Sequence, residues 1–478
     1  MSFHGRTGRA VVALAAATTL GTASLHAQQS VPHAVPTPSP TATQELRADP
    51  FDDIVAEALR ANRTVAGARL GALRADAGVR EARARFFPSL TIDARRSRQN
   101  GVLNLGDAIN PANAALNSLL GQDRFPTNLS IVVPYAYESR ARVAQPLFDP
   151  AISAAYRAAL ALGDVGSLET RVVARRIAAQ AQEGWLDAAL AKRGRMVWES
   201  ALALVTENER VASRLVAAGR ATPDVVFRAR ADRADVEQRL AEARDDEGAA
   251  ARAFNQLLRR PLDAPMEEIA EAALQLPLPT SEGDAITAAL ANREEVRQTA
   301  AAVRAAHEGS RAANASFLPR ISAAVDYGFQ GTGVTFDRAR DFLVGSVVLS
   351  WDVFNGGRDV ARRQESSADE ERARLREDET RELVTLDVRQ AYRSAVVALA
   401  AIPTAEARLA AARSSHALVS RRFAEGLASQ VELLDARNTV TDAELNRVRT
   451  IYRYARRAVG LERAAATRSM NMNQDTTR

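Results

Sequence analysis

The chain has 478 residues, of which 46% are hydrophobic and 25% are charged, and its formal net charge is +5 at pH 7. It contains no cysteine, which excludes disulfides, thiolate metal sites and a lipid anchor on an N-terminal cysteine. The positive charge does not indicate a nucleic-acid surface, because Lys192 is the only lysine and the arginines are spread along predicted helices beside acidic residues.

The N-terminal segment, residues 1–27, has the features of a secretory signal. Arg6 and Arg9 supply positive charge, an apolar stretch follows, and the sequence ending at Ala27 fits a cleavage site. Residues 28–48 are rich in Pro, Thr and Ser, which predicts a disordered linker. We therefore expect an exported protein and not a cytosolic enzyme.

The first predicted elements are a helix, a strand hairpin and a helical hairpin. The helix, about 52–87, ends at Pro88, because proline lacks the amide hydrogen and disfavours helix in the residue before it. Alternation with period two then predicts a β-hairpin over about 89–148, with a long loop between its strands. Two long helices, about 151–218 and 223–259, complete the unit.

The second half of the chain repeats this order. A helix ends at Pro319, a β-hairpin covers about 320–354, and long helices cover about 358–425 and 431–467. Residues of the first helical hairpin recur in the second in the same order: Trp185 as Tyr392, Gly219 as Gly426, Thr222 as Ser429, and Ala229-Arg230 as Ala436-Arg437. This duplication indicates two versions of one unit.

We therefore divide the chain into two repeats. The first repeat is 49–260 and the second is 284–467. Residues 261–283 link the two repeats, and residues 468–478 form a polar tail.

The second helical hairpin carries the clearest pattern. Gly426 is placed to end one helix, because glycine adopts the left-handed conformation, and Ser429 is placed to cap the next. A coiled-coil seam with 3-4 spacing follows: Val431, Leu434, Asn438, Thr441, Leu445, Val448, Tyr452, Ala455 and Val459. Many seam positions of the preceding helix are alanine, which favours close packing, and Pro403 is expected to kink that helix.

The strands, and not the helices, are the elements expected to cross a membrane. We find no stretch after the signal with the 18 or so apolar residues of a membrane helix, whereas each strand has about the ten residues that a tilted membrane strand needs. Four strands cannot close a barrel, and lipid does not tolerate open edges, so several chains would have to share one barrel. A sheet on a soluble core is the alternative, which alternation alone does not exclude.

This order of elements resembles the TolC-like outer-membrane efflux proteins over about residues 49–466. The most specific similarity is Phe423-Ala-Glu-Gly426, followed by Ser429, Val431, Leu434-Asp435-Ala436 and the Tyr452 and Leu461 end of the helix. The resemblance implies an α+β membrane protein whose three copies share a twelve-stranded β-barrel, continued by a periplasmic α-helical barrel. It implies the outer membrane of a Gram-negative cell as location, and a periplasmic adaptor and an inner-membrane pump as partners.

The resemblance also points to residues at the hairpin turns. In relatives, acidic residues at the positions of Glu432 and Asp435 ring the closed periplasmic entrance, where they would attract cations. A solvated acidic pair is the alternative. Relatives that latch the entrance with a tyrosine and an arginine have them at the positions of Phe423 and Ala428, so this chain departs from the latch pattern but not from the gate pattern.

Residues at the two turns are expected to contact the adaptor: Gly219, Thr222, Gly426 and Ser429. Simple helix termination is the alternative for these positions.

The sequence gives no sign of catalysis or of a cofactor. His307 and His416 stand alone, without neighbours at metal-ligand spacing, and we expect structural roles for both. The resemblance implies a passive exit duct of a tripartite efflux or type I secretion system. Two alternatives are a non-transporting periplasmic coiled-coil scaffold or adaptor, and a secreted enzyme on a helical frame. The sequence does not distinguish drug, metal and protein cargo.

Overall fold

The computed structural model describes residues 50–97, 104–131, 137–331, 334 and 336–468. The signal and disordered-linker predictions, and all of the predicted tail except Arg468, lie outside these ranges.

The helix predicted before each β-hairpin is broken in both repeats. The first repeat has α1 (Asp52–Ala61) and α2 (Arg63–Ala84). Asn62 separates them because its backbone is extended, with ψ 127°, and its side-chain oxygen accepts the Thr64 N–H at 2.8 Å. A single helix was therefore the wrong prediction: an asparagine that caps the next helix competes with helix continuation.

The connection between the first two strands contains a helix that the sequence did not predict. This helix, α3 (Gly106–Leu120), ends at Gly121, where φ is 63°. Asparagines along one side of α3 bind the returning segment: Asn110 to Leu129 and Asn117 to Phe125, each through both backbone groups. The side chains thus supply the hydrogen bonds that a neighbouring strand would supply.

All four strands belong to one antiparallel sheet with the order β1-β2-β3-β4. The strands are β1 (Ser89–Arg96), β2 (Tyr137–Phe148), β3 (Arg320–Gly331) and β4 (Asp341–Ser350). The two hairpins are joined by pairing of β2 with β3, so the repeats share one sheet. Both outer strands, β1 and β4, have one unpaired edge in this sheet.

The two faces of the sheet differ sharply in polarity. Cross-strand partners place apolar residues on one face, where Ile92, Leu343 and Val347 are 77%, 71% and 72% exposed. The opposite face carries charged pairs across the strands, Asp93–Arg140 at 3.4 Å and Arg142–Asp326 at 3.5 Å. No described helix or loop covers the apolar face, so its side chains are exposed in the single chain.

Most of the described residues lie in four long helices, which pair as α4 with α5 and α8 with α9. The helices are α4 (Pro150–Ala217), α5 (Asp224–Leu258), α8 (Arg358–Ala424) and α9 (Gln430–Ala465). Their bounds agree with the predicted hairpins to within two residues. At about 1.5 Å per residue, α4 and α8 are each about 100 Å long. Helix α8 continues through Pro403.

Helix α8 overturns one expectation from the sequence. Among the described helices, it alone is long and apolar enough, by length and composition, to cross a membrane. The expectation that no such stretch follows the signal was therefore wrong. Its Ala395, Ala398 and Ile402 are buried, so the apolar composition also fits an alanine-rich coiled-coil seam.

The largest hydrophobic cluster among the described residues lies where the inter-repeat linker packs against the long helices. Phe51 and Trp185 meet edge to face at 5.7 Å, and both are buried. Trp185 Nε1 donates to the Glu267 carbonyl at 3.0 Å, and the Tyr454 hydroxyl donates to the Leu276 carbonyl. Leu274 of the linker is fully buried in the same core. The linker is therefore packed against the long helices.

The two repeats hold their returning strands in the same way, and a buried ion pair joins one repeat to the other. Gln145 Nε2 donates to the Phe86 carbonyl at 2.9 Å, and Trp351 Nε1 donates to the Phe317 carbonyl at 3.1 Å, which ties each returning strand to the end of its helical segment. The Arg175 guanidinium makes two hydrogen bonds of 2.8 Å to the Glu294 carboxylate, with both side chains buried. The remaining helices of the second repeat are α6 (Glu282–Asn292) and α7 (Glu294–Asn314).

Candidate gate at the hairpin tips

The two helical hairpins turn in the same way. Gly219 has φ 68° and Gly426 has φ 76°, the left-handed region that glycine adopts without strain. After α4, Arg220 N–H donates to the Leu215 carbonyl at 2.8 Å. After α8, the corresponding bond from Leu427 to the Arg422 carbonyl is 2.7 Å. Both turns are Schellman motifs, which satisfy the last carbonyls of the helix.

The second helix of each hairpin begins differently. Ser429 caps α9, as predicted: its hydroxyl accepts the Glu432 N–H at 3.2 Å, and its own N–H donates to the Glu432 carboxylate at 3.1 Å. In the first hairpin, the Thr222 hydroxyl donates to the Asp224 carboxylate instead, and no side chain caps α5. The second tip therefore has the better-satisfied helix start.

The predicted acidic pair lies on the surface of α9. Glu432 and Asp435 are both exposed and three residues apart, so they share one face of the first turns. Glu432 is also a member of the capping box. For Asp435, no described residue gives a side-chain hydrogen bond or ion pair. Both carboxylates are exposed, although one oxygen of Glu432 accepts the Ser429 N–H.

Two polar contacts join the hairpins just above the tips. The Arg437 guanidinium on α9 binds both oxygens of the Asp232 carboxylate on α5. Arg437 is 5% exposed, and its Nη2 also reaches the Asn438 side-chain oxygen at 2.7 Å. Nearer the turn, Gln430 Nε2 donates to the Val225 carbonyl at 3.1 Å. We refer to the Arg437–Asp232 pair as the clasp.

Sequence reasoning missed the clasp, although it noted that Arg437 recurs from Arg230. The two arginines have different partners. Arg230 pairs inside the first hairpin with Glu209 at 3.2 Å, and Arg233 joins the same carboxylate at 3.1 Å. The signal that could have revealed the clasp is that the second repeat has no acidic residue at the position that corresponds to Glu209.

A cavity of about 290 Å³ lies beside the clasp, between α4, α8 and α9. Its lining is mostly apolar, with His416, Ser420 and Arg437 among the polar members. His416 Nε2 lies 3.4 Å from the Ser420 hydroxyl. Burial, and then the charge of Arg437, lower the pKa of His416, which favours the neutral imidazole.

Phe423, at one of the two latch positions expected from the resemblance, lines the cavity and contributes packing there. Ala428, at the other latch position, has no side-chain polar group. His307 Nδ1 lies 3.1 Å from the Glu370 carboxylate. No cluster of three or more potential metal ligands occurs among the residues that the structure describes.

The comparisons with known proteins agree with this architecture. Residues 285–467 match a family model described as outer membrane efflux protein. A comparison with curated proteins returned no significant match.

Several solved structures share the fold over most of both chains. CusC, described as forming a transmembrane channel, has a TM-score of 0.74 at 16% identity and covers 89% of this chain and 95% of its own. The outer membrane protein VceC from Vibrio cholerae has a TM-score of 0.69 at 17% identity, covering 87% and 95%. The Neisseria gonorrhoeae outer membrane channel MtrE, in an open state, has a TM-score of 0.70 at 16% identity, covering 89% and 93%. Residues 285–467 are thus similar to the outer membrane efflux protein family, and most of the chain has the fold of these outer-membrane channels.

Proposed function

We propose that this protein is the outer-membrane exit duct of an export system, through which substrates pass passively from the periplasm to the exterior. The observation that carries the proposal is the four-stranded sheet, whose apolar face is bare and whose outer strands each have an open edge. A bare apolar face of this kind is unfavourable in water and favourable in lipid.

The open edges require partners if the sheet lies in a membrane. In lipid every backbone amide and carbonyl must be hydrogen-bonded, so an edge must pair with another strand. Pairing of β4 in one copy with β1 in the next gives a closed ring, and three copies give twelve strands. The long helices of the three copies would then continue the barrel into the periplasm.

Aromatic side chains occur at both ends of the sheet, as in the girdles of membrane barrels. At the helix-proximal end, Trp351 and Phe354 are 56% and 87% exposed. At the other end, Tyr137 and Phe329 each meet Phe336 edge to face, at 6.4 Å and 5.3 Å. These belts are expected to mark the two surfaces of the bilayer.

The tips of the helical hairpins are the proposed gate. Around a three-fold axis, Glu432 and Asp435 would give six carboxylates at the narrow entrance and attract cations. The clasp would hold the second hairpin against the first and keep the entrance closed. It would take the place of the tyrosine–arginine latch, from which this chain departs at Phe423 and Ala428. Opening would require the Arg437–Asp232 bond to break, with energy supplied by the partner proteins.

The turns themselves are the proposed contact with a periplasmic adaptor, which connects the duct to an inner-membrane pump. Gly219 and Gly426 present similar left-handed turns, and Thr222 and Ser429 lie beside them. The proposed duct needs no catalytic group. Transport depends on opening the tips.

Fractionation of a Gram-negative host that expresses the full precursor tests this function. We expect the protein in the outer-membrane fraction, as a trimer that survives on an unheated gel and dissociates on heating. A soluble periplasmic monomer would contradict the proposal and favour the scaffold, but that alternative leaves the apolar sheet face unexplained.

A further inference from the structure

The two hairpins differ at one charged position beside the clasp. Arg437 is the repeat counterpart of Arg230, whose partner Glu209 lies 21 residues before it. The residue at the same distance before Arg437 is His416. The first hairpin therefore has a carboxylate where the second has an imidazole.

In the first hairpin, the arginine pairs with a carboxylate of the same hairpin. Glu209 on α4 binds Arg230 Nε at 3.2 Å and Arg233 Nη1 at 3.1 Å, and its side chain is only 16% exposed. With this partner inside its own hairpin, Arg230 makes no hydrogen bond or ion pair to the second hairpin among the residues that the structure describes. Its counterpart acid there would be at the position of Asp232, and Thr439 occupies that position.

The imidazole in the second hairpin offers no such partner. His416 lies on α8, lines the same cavity as Arg437, and is within 3.4 Å of the Ser420 hydroxyl. A neutral ring does not hold a guanidinium as a carboxylate does. Arg437 is 5% exposed, and an arginine buried to that degree needs an acid. Asp232 of the first hairpin supplies it.

We propose that His416 is a positioning residue that directs Arg437 to Asp232 and thereby fastens the tip of the second hairpin to the first. The inference rests on the proposed function of the clasp in closing the gate. A carboxylate at position 416 gives Arg437 the partner that Glu209 gives Arg230. The arginine then stays paired inside the second hairpin, and the two hairpins separate without leaving a buried charge alone.

Conductance of the full-length protein in planar bilayers tests the inference. The variants are His416→Glu, Asp232→Asn, the combination of both, and two controls. His416→Gln removes the imidazole without adding charge, and Ser414→Glu adds the same charge at an exposed position of α8. A trimer band on an unheated gel confirms assembly of each variant, and His416→Asp replaces His416→Glu if that variant assembles poorly.

We expect Asp232→Asn and His416→Glu each to raise the fraction of time that the channel is open by about fivefold or more. Fivefold is about the smallest change that coupling between two sites typically produces. The combined variant should open no more than either single variant, because both remove the same bond. His416→Gln and Ser414→Glu should keep the wild-type closed state, which separates the charge effect from a general disturbance of packing.

The contradicting outcomes are distinct. If Asp232→Asn opens the channel and His416→Glu does not, His416 has no role in directing Arg437. If His416→Gln opens it as much as His416→Glu, the imidazole acts through packing and the inference is wrong. If wild type and variants conduct alike, the clasp does not close the gate. If no variant conducts, the proposed duct itself fails.

Discussion

Ser429 and Glu432 satisfy each other's backbone at the start of α9. The Ser429 hydroxyl accepts the Glu432 N–H, and the Glu432 carboxylate accepts the Ser429 N–H. Glu432 is therefore a structural residue of the tip as well as a candidate gate charge. The two roles can be separated, because glutamine also completes a capping box but carries no charge.

The first prediction concerns this cap. Glu432→Ala should lose about 1 kcal/mol at the start of α9 and loosen the tip, whereas Glu432→Gln should retain most of that stability. Hydrogen exchange of the backbone amides at 429–433 would measure the difference. Equal exchange in the two variants would show that the side chain of Glu432 does not cap the helix in solution.

The second prediction concerns ion selectivity. Glu432→Gln combined with Asp435→Asn removes both exposed carboxylates and keeps the capping box, so cation preference should fall, as a smaller reversal potential in a salt gradient. Asp442→Asn, an exposed acid further along α9, is the matched control. The gate assignment is wrong if the double variant and the control have the same reversal potential.

The third prediction concerns acid stability. Burial opposes the charge on Glu294, but the hydrogen bonds and charge of Arg175 outweigh it, so the pKa of Glu294 is lowered. A lowered pKa means that this pair stabilises the fold above the unfolded-state pKa, and that the stabilisation is lost as the pH falls through the folded-state value. Glu294→Gln should therefore be less stable than wild type at pH 7, by about 3 kcal/mol for a broken buried pair.

Thermal unfolding of the detergent-solubilised protein from pH 7 to about pH 3, well below the ordinary glutamate pKa of 4.5, would test this. The gap between wild type and Glu294→Gln should narrow as the pH falls. A gap that stays constant over this range would indicate that the variant acts through packing and not through the ionised pair.

The fourth prediction concerns the connection between β1 and β2. Asn117 makes three hydrogen bonds to the backbone of Arg124 and Phe125, at 2.6, 2.8 and 3.0 Å. Asn117→Ala removes the partners of the Phe125 N–H and carbonyl, whereas the Arg124 N–H keeps its bond to the Gln122 carbonyl. The segment after α3 should therefore be cleaved faster by protease on intact cells. Ser118→Ala, the exposed neighbour, is the control, and equal cleavage of both variants would contradict the role of Asn117.

Much of the fold could be predicted from the sequence because its signals are local. Helix ends at Gly219 and Gly426, the cap at Ser429 and the strict 3-4 seam all arise from residues close together in the chain. The break at Asn62 was missed because asparagine is compatible with both a helix interior and a cap. Helix α3 was missed because its stability comes from asparagine bonds to the returning segment.

The site was less predictable, because it depends on which side chains meet across the repeats. The sequence placed Glu432 and Asp435 on one face, but it did not indicate that Glu432 caps α9. The clasp joins residues that are 205 positions apart, so neither Asp232 nor Arg437 carries a local signal. The difference between the two arginines follows only from comparing the partner of Arg437 with the partner of Arg230 in the first hairpin.

The pairing of β1 with β4 between copies is the central claim, and disulfide formation between these strands tests it most directly. The chain has no cysteine, so an introduced pair has no background. Thr91→Cys would be combined in turn with Val344→Cys, Ser346→Cys or Val348→Cys, all on the polar face of the sheet.

A shared barrel predicts that oxidation of outer membranes from the strain with the best-matched pair gives covalent dimers and trimers, and nothing larger, on a denaturing gel. Each single-cysteine variant should remain monomeric. Monomers in all three double variants, or an open ladder beyond trimer, would contradict the closed three-chain barrel.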